Sequence, residues 1–322
     1  MTRARARPFP VRRVLVLRPG AMGDLLLALP ALHAIARGNP KARIEVAANR
    51  AFTPLLTLCP VVNGLHDFGC ALFSDLFVTG QPPGRKLQEL MADFDSAVLW
   101  MRDPDDQVAR RIRECGVACI AGGGATLEAS SGQHMAVRLT RMAGQLAPGE
   151  PDTRRSTLDA RTLRLPSPGS ATRLLLHAGS GGRQKLWGVQ RFAQLARELA
   201  RAGLKPVVLE GPADEAPAGE LASMLGAPVT RCESMLELAR EVAGSALFAG
   251  NDSGPAHLAA ALGVPTVAIF GPTDPAVWAP CGPRVAALGG CGLWPEPEAV
   301  VERSLALLAA APSPGAAYSE SR

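Results

Sequence analysis

The sequence predicts an α/β protein made of two Rossmann-like domains facing each other across a cleft. Three observations carry that prediction. Short apolar runs of strand length alternate with helical stretches, the pattern of a parallel sheet with βαβ crossovers. The stretches VRRVLVLRPGAMGD (11–24) and ATRLLLHAGSGG (171–182) follow one plan: basic flank, strand, glycine turn, helix. A chain of 322 residues is also long for a single domain.

Taken in order, the first half opens with the buried strand VLVL (14–17), a glycine loop and an apolar helix. KARIEVAAN (41–49) reads as a strand and FTPLLTL (52–58) as a short helix. FDSAVLW (94–100) and VACIAGG (117–123) read as strands on either side of the amphipathic helix DQVARRIRECG (106–116), and residues 125–151 read as mostly helical. Residues 152–173 are rich in Pro, Ser, Thr and Arg without periodicity, which is linker composition. The domain boundary is therefore expected near Leu165, giving domains 1–165 and 166–322.

The pattern then restarts with LLLH (174–177), the loop AGSGG and the helix GVQRFAQLARELARAG (188–203). PVVLE (206–210) is the next strand, and two helices bracket the short strand APVT (227–230). FAGNDSGPAHLAAALGVPTVAIFGPTDP (248–275) reads as strand, loop, helix, strand. Ser253 or Gly254 suits a helix cap, Pro255 the first helical position and Gly263 the end. Such a loop aims free N–H groups and a positive dipole end at one spot, which suits a phosphate. A last helix is expected at about 296–311.

Composition narrows the function. The hydrophobic fraction of 47% supports a sizeable core, and no apolar run reaches membrane-span length. The apolar run after the basic N-terminus is too short for a signal peptide, and seven cysteines without a C-x-x-C pair suit reduced thiols. The protein reads as cytoplasmic. A net charge of +5 suits phosphorylated ligands; with 4% aromatics and one tyrosine, a nucleic-acid stacking surface is not expected. Arg3, Arg5, Arg7, Arg12 and Arg13 form either a solvated tail or a peripheral contact with the inner membrane surface.

Residues that can carry chemistry lie in the glycine loops. Asp24, in RPGAMGD, is either a helix cap or a general base opening into the cleft, and Gly20 and Gly23 permit close approach of ligands to the backbone. Lys185 is one of four lysines and follows a loop with Ser180, Gly181 and Gly182; it is either solvated or the partner of a diphosphate. Trp187 suits packing better than ligand contact. Asp214 follows a strand, where acidic residues often bind a ribose, although a turn role explains it equally and Glu215 stands beside it. Asp252, Ser253, Gly254 and His257 surround the second helix start, and Thr273 and Asp274 form a turn that can line the same cleft. There is no P-loop motif and no D-x-D step, so no metal site is expected.

DSGPAHLAAALGVPTVAIFGPTDP (252–275) resembles the signature of the family-nine glycosyltransferases, the lipopolysaccharide heptosyltransferases and their relatives. The resemblance also covers the first glycine loop and the K-x-W step at Lys185 and Trp187, with Gly188 where the family has proline and Asp214 where it has glutamate. It implies the GT-B architecture and inverting transfer of heptose from an ADP-sugar, which is substrate and not cofactor, to a glycolipid acceptor. It implies Asp24 as catalytic base, with Met22 and its flanking glycines on the acceptor side. Lys185 is implied at the departing diphosphate, and the D-S-G-x-x-H residues at the donor. It further implies that the last helix crosses back onto the first domain. A non-catalytic nucleotide-sugar binder, or a protein or small-molecule acceptor, remains the alternative. A Rossmann oxidoreductase is disfavoured, because GAMGD has aspartate where a third glycine would stand.

Overall fold

The computed structural model describes residues 11–124, 132–163, 172–212 and 214–310. Arg3, Arg5 and Arg7, the expected boundary at Leu165 and the C-terminal tail lie outside these residues.

The first half contains β1 (Arg13–Arg18), α1 (Met22–Gly38), β2 (Arg43–Ala48), α2 (Thr53–Leu56), β3 (Gly64–Asp67), α3 (Ala71–Ser74), α4 (Arg85–Met91), β4 (Ser96–Leu99), α5 (Gln107–Glu114), β5 (Cys119–Gly122) and α6 (Met135–Met142). Its five strands are parallel, in the order β3-β2-β1-β4-β5. The central strands are buried on both faces, which is why they read as unbroken apolar runs.

The second half contains β6 (Arg173–His177), α7 (Val189–Arg201), β7 (Lys205–Glu210), α8 (Glu215–Leu225), β8 (Val229–Arg231), α9 (Met235–Ala243), β9 (Leu247–Asn251), α10 (Gly254–Ala261), β10 (Thr266–Phe270), α11 (Pro275–Trp278), β11 (Val285–Gly289) and α12 (Pro297–Ala309). Its six strands are also parallel, in the order β11-β10-β9-β6-β7-β8. Two parallel sheets with interleaved helices confirm the expected architecture.

Each sheet reverses its winding once, between β1 and β4 and between β6 and β9. Open α/β sheets bind ligands outside the carboxyl ends of the strands at such points. The loops after β1, β6 and β9, which hold the sequence-predicted residues, all lie at these two crevices.

The lobes meet through α1 and α10, two apolar helices that pack on each other. Residues Leu25 to Ile35 of α1 are buried, as are Ala256 to Ala261 of α10. A helix apolar all round must be covered on all sides; α10 lies between its own sheet and α1, and its alanines let the backbones come close. The segment leaving the first half laces this contact: Thr157 N–H and Leu158 N–H donate to Ala261 O, and Asp159 N–H donates to Leu58 O.

Two expectations need correction. The last helix does not cross back: α12 packs on α7, β10 and β11 of its own lobe. Its buried Val300, with Val301, Leu307 and Leu308, faces the core of the second sheet. Residues 132–151 hold one eight-residue helix, α6, and a short 3-10 turn, less helix than expected. All seven cysteines are free thiols, in line with the reduced state expected from their spacing.

Candidate active site

A cavity of about 400 Å³ opens between the lobes, lined by Ala21, Gly23, Asp24 and Leu27 from the first and by Gly181, Lys185, Asp252, Ser253, Gly254, His257, Thr273 and Trp278 from the second. Its size is that of a small-molecule site. The N-termini of α1 and α10 converge on it, so two positive dipole ends face one space.

Asp24 occupies the third position of α1, whose N-cap is Ala21. One carboxylate oxygen accepts the Ala21 N–H at 3.2 Å, and the other is 3.1 Å from an Arg18 terminal nitrogen. Asp24 thus supports the helix start and still lines the cavity, with its side chain 37% exposed. Gly20 is required here: its φ is +152°, and a Cβ would stand 3.0 Å from Asp24 Oδ2. Arg18 is the buried support. It also donates to Asp24 O at 3.2 Å and to Trp100 O at 3.0 Å, bridging the winding reversal of the first sheet. Burial lowers its pKa, and Asp24 opposes that shift.

Opposite stands a buried polar knot. Asp252 Oδ2 accepts from Lys185 Nζ at 2.7 Å and from Thr273 Oγ1 at 2.7 Å, while His257 Nε2 is 3.9 Å from Oδ1. Burial penalises the Asp252 charge, but His257, Lys185 and Thr273 together stabilise it more, and the carboxyl is held down at about 2. This fixes the sign of a pH effect. A folded pKa of about 2 against an ordinary 3.8 contributes stability that is complete above pH 4 and lost as pH falls from about 4 to 2. The contribution is roughly 2 kcal/mol. Denaturant titrations of wild type and Asp252→Asn across that window should show the wild type losing this much more stability than the variant; parallel curves would contradict the assignment.

The remaining loop residues hold this knot in place. Asn251 donates to Ala178 O and Gly179 O and accepts the Trp187 N–H at 3.0 Å, stitching the β6 and β9 loops together. Ser180 Oγ donates to Asp252 O at 3.2 Å. Trp187 is buried, with its indole N–H on Pro295 O at 2.9 Å and its ring edge-on to Phe192, so it is a packing residue. Asp274 caps α11 through the Ala276 N–H.

The structure therefore brings together Gly23, Asp24, Gly181, Lys185, Asp252, Ser253, Gly254 and His257. Gly20, Met22, Ser180 and Gly182 are not among the residues that line it. Met22 packs against Gly254, where a Cβ would meet its Cε at 2.2 Å, and this contact joins the lobes at the cavity rim. Asp214 is the correction among the site residues. It is 8% exposed and turned inward, its Oδ2 2.9 Å from His177 Nε2, so its carboxylate is engaged in the interior and does not line the cavity.

Sequence reasoning missed Arg18, His177, Leu27 and Trp278. A signal existed for the first two: each is the basic last residue of the opening strand of its lobe, VLVLR and LLLH.

Fold and cleft define the class as the GT-B architecture, two Rossmann-like lobes facing across a cleft. The chain belongs to glycosyltransferase family 9 (heptosyltransferase), whose sequence profile matches residues 145–308, more than half of it. It is 26% identical to Lipopolysaccharide heptosyltransferase 1 of Pseudomonas aeruginosa over 82% of this chain and 79% of that protein. It is also 26% identical to Lipopolysaccharide heptosyltransferase 3 of Escherichia coli over 80% of this chain and 83% of that protein. In fold it is similar to the family 9 glycosyltransferase of Veillonella parvula (TM-score 0.72, 20% identity, 94% and 99% of the two chains). The Escherichia coli heptosyltransferase WaaC with ADP has a TM-score of 0.67 at 20% identity over 92% and 99% of the two chains. Among the described residues no helix is long and apolar enough to cross a membrane.

Proposed function

We propose that the protein transfers heptose from ADP-heptose to a hydroxyl of a glycolipid acceptor in lipopolysaccharide core synthesis, with inversion at the anomeric carbon. The observation that carries this reading is the meeting of Asp24 from one lobe with Lys185 from the other in a single cavity. The relatives named for lipopolysaccharide heptosyl transfer support the donor and the pathway.

In this reading Asp24 accepts the acceptor's hydroxyl proton as the oxygen attacks the anomeric carbon. The bond from that carbon to the β-phosphate oxygen breaks, and ADP leaves with the electron pair. Lys185 and the N-terminus of α10 stabilise the charge that grows on the diphosphate. Arg50 and Arg102 follow β2 and β4, on either side of β1, and both are exposed without an ion-pair partner among the described residues. They suit an acceptor bearing phosphate or carboxylate groups. Contact with the inner membrane surface belongs to the same proposal, because the acceptor is a lipid.

Thermal unfolding with a panel of nucleotide sugars tests the donor. ADP-heptose at a hundredfold excess over its Kd should add about 2.7 kcal/mol and raise Tm measurably, while UDP- and GDP-sugars should not. Stabilisation by UDP-sugars alone would replace the donor.

A further inference from the structure

Ser253 is the N-cap residue of α10, yet its side chain caps nothing. Serine is among the best capping residues, so this hydroxyl has been diverted. It lies 3.1 Å from His177 Nδ1, and the same ring places Nε2 2.9 Å from Asp214 Oδ2. His177 is 3% exposed and Asp214 8%. The chain of three runs from beneath the β6 loop to the cavity wall. The fold makes room for it: a Cβ on Gly179 would come 1.9 Å from Asp214 Cγ, so only glycine admits the carboxylate.

Burying an aspartate and a histidine costs desolvation and is a weak way to gain stability. The arrangement does determine direction. A carboxylate only accepts, so Nε2 carries the proton and donates to Asp214. Nδ1 is then the acceptor, and the Ser253 hydroxyl donates to it. Ser253 lines the cavity, so the lone pairs of its Oγ are left for a ligand there. A serine held this way suits a hydroxyl and is mismatched to a phosphate oxygen, which also only accepts.

We propose that Asp214 and His177 are positioning residues that present Ser253 as a hydrogen-bond acceptor to a hydroxyl of the transferred sugar. This rests on the donor reading above. The sugar, not the nucleotide, is indicated because Ser253 lines the same cavity as Asp24, where the anomeric carbon must lie for attack. The diphosphate is left to Lys185 and the backbone.

Calorimetric titration of ADP-heptose and of ADP alone into wild type, Ser253→Ala, His177→Phe and the double variant tests this. Each single change should weaken ADP-heptose about tenfold and leave ADP within about twofold. The double variant should be no worse than either single, since one residue acts through the other. Ser253→Thr, which keeps the hydroxyl, should restore binding. Should His177→Phe fail to fold, Asp214→Asn carries the same test, because an amide can donate to Nε2 and turn an Nδ1 proton onto Ser253. Equal weakening of ADP by Ser253→Ala, or losses that multiply in the double variant, would overturn the relay. Failure of wild type to bind ADP-heptose would instead overturn the donor reading.

Discussion

Replacing Asp24 with asparagine is expected to lower kcat for glycosyl transfer by about 10²–10⁴-fold, the range for removing a general base. ADP affinity should stay within about twofold of wild type. Asparagine is the informative choice because Asp24 holds the helix start and, in the proposed mechanism, also accepts the proton. Its Oδ2 accepts the Ala21 N–H at the start of α1, and an amide oxygen can accept the same bond. The helix start is kept and only proton acceptance is lost. The Arg18 contact at 3.1 Å is weakened to a neutral one, and Arg18 retains its bonds to Trp100 O and Asp24 O. Thermal unfolding should therefore change little while initial rates collapse. A variant that keeps transfer within about fivefold would show that the proton goes elsewhere.

The parts of the fold that were legible are those buried on both sides. β1, β4, β6, β9 and β10 are apolar runs because helices cover both faces of a parallel sheet. β3 and β11 escaped detection because neither is an apolar run: GLHD has one aliphatic residue and VAALG is mostly Ala and Gly, whereas β5 and β8 at the opposite edges were read. The loop residues of the site were legible for a related reason. Glycine turns after strands mark carboxyl ends, and carboxyl ends at winding reversals mark the cleft. What the sequence withheld is pairing at a distance. Nothing local to LLLH says that its histidine will meet Asp214 and Ser253, 37 and 76 residues on. Asp214 looked like a ribose ligand because its position after β7 is right; only the inward turn of its side chain shows otherwise. The crossing of α12 was an expectation from the resemblance and not from its residues, whose apolar side chains pack on the sheet of their own lobe.

Lys185→Ala is the second large effect. It should lower kcat by about 10²–10³-fold, the cost of removing one charge stabiliser of the leaving group, and it should weaken ADP binding as Asp24→Asn does not. The ammonium lies at the cavity surface, 35% exposed, and is held there by Asp252 at 2.7 Å. Its setting is fixed from both sides even though Gly188 replaces the family's proline. Gly188 has φ +97°, which proline, locked near −65°, cannot adopt. The pinning comes from Trp187, whose backbone N–H binds Asn251 and whose indole binds Pro295. Removing Lys185 also strips the buried Asp252 of its cation, leaving Thr273 and the more distant His257 to hold the carboxylate. The Asp252 pKa should then rise from about 2 towards its ordinary value, so stability at pH 7 should fall and the further loss between about pH 4 and 2 should be smaller than in wild type. Lys185→Arg separates the two roles. An arginine keeps the positive charge beside Asp252, so the stability at pH 7 and its loss on acidification should both return. Its planar guanidinium does not reproduce the compact ammonium at the β-phosphate, so kcat should recover only in part. Full recovery of rate with arginine would mean that Lys185 serves the Asp252 knot alone and that the departing diphosphate is met by the α10 N-terminus.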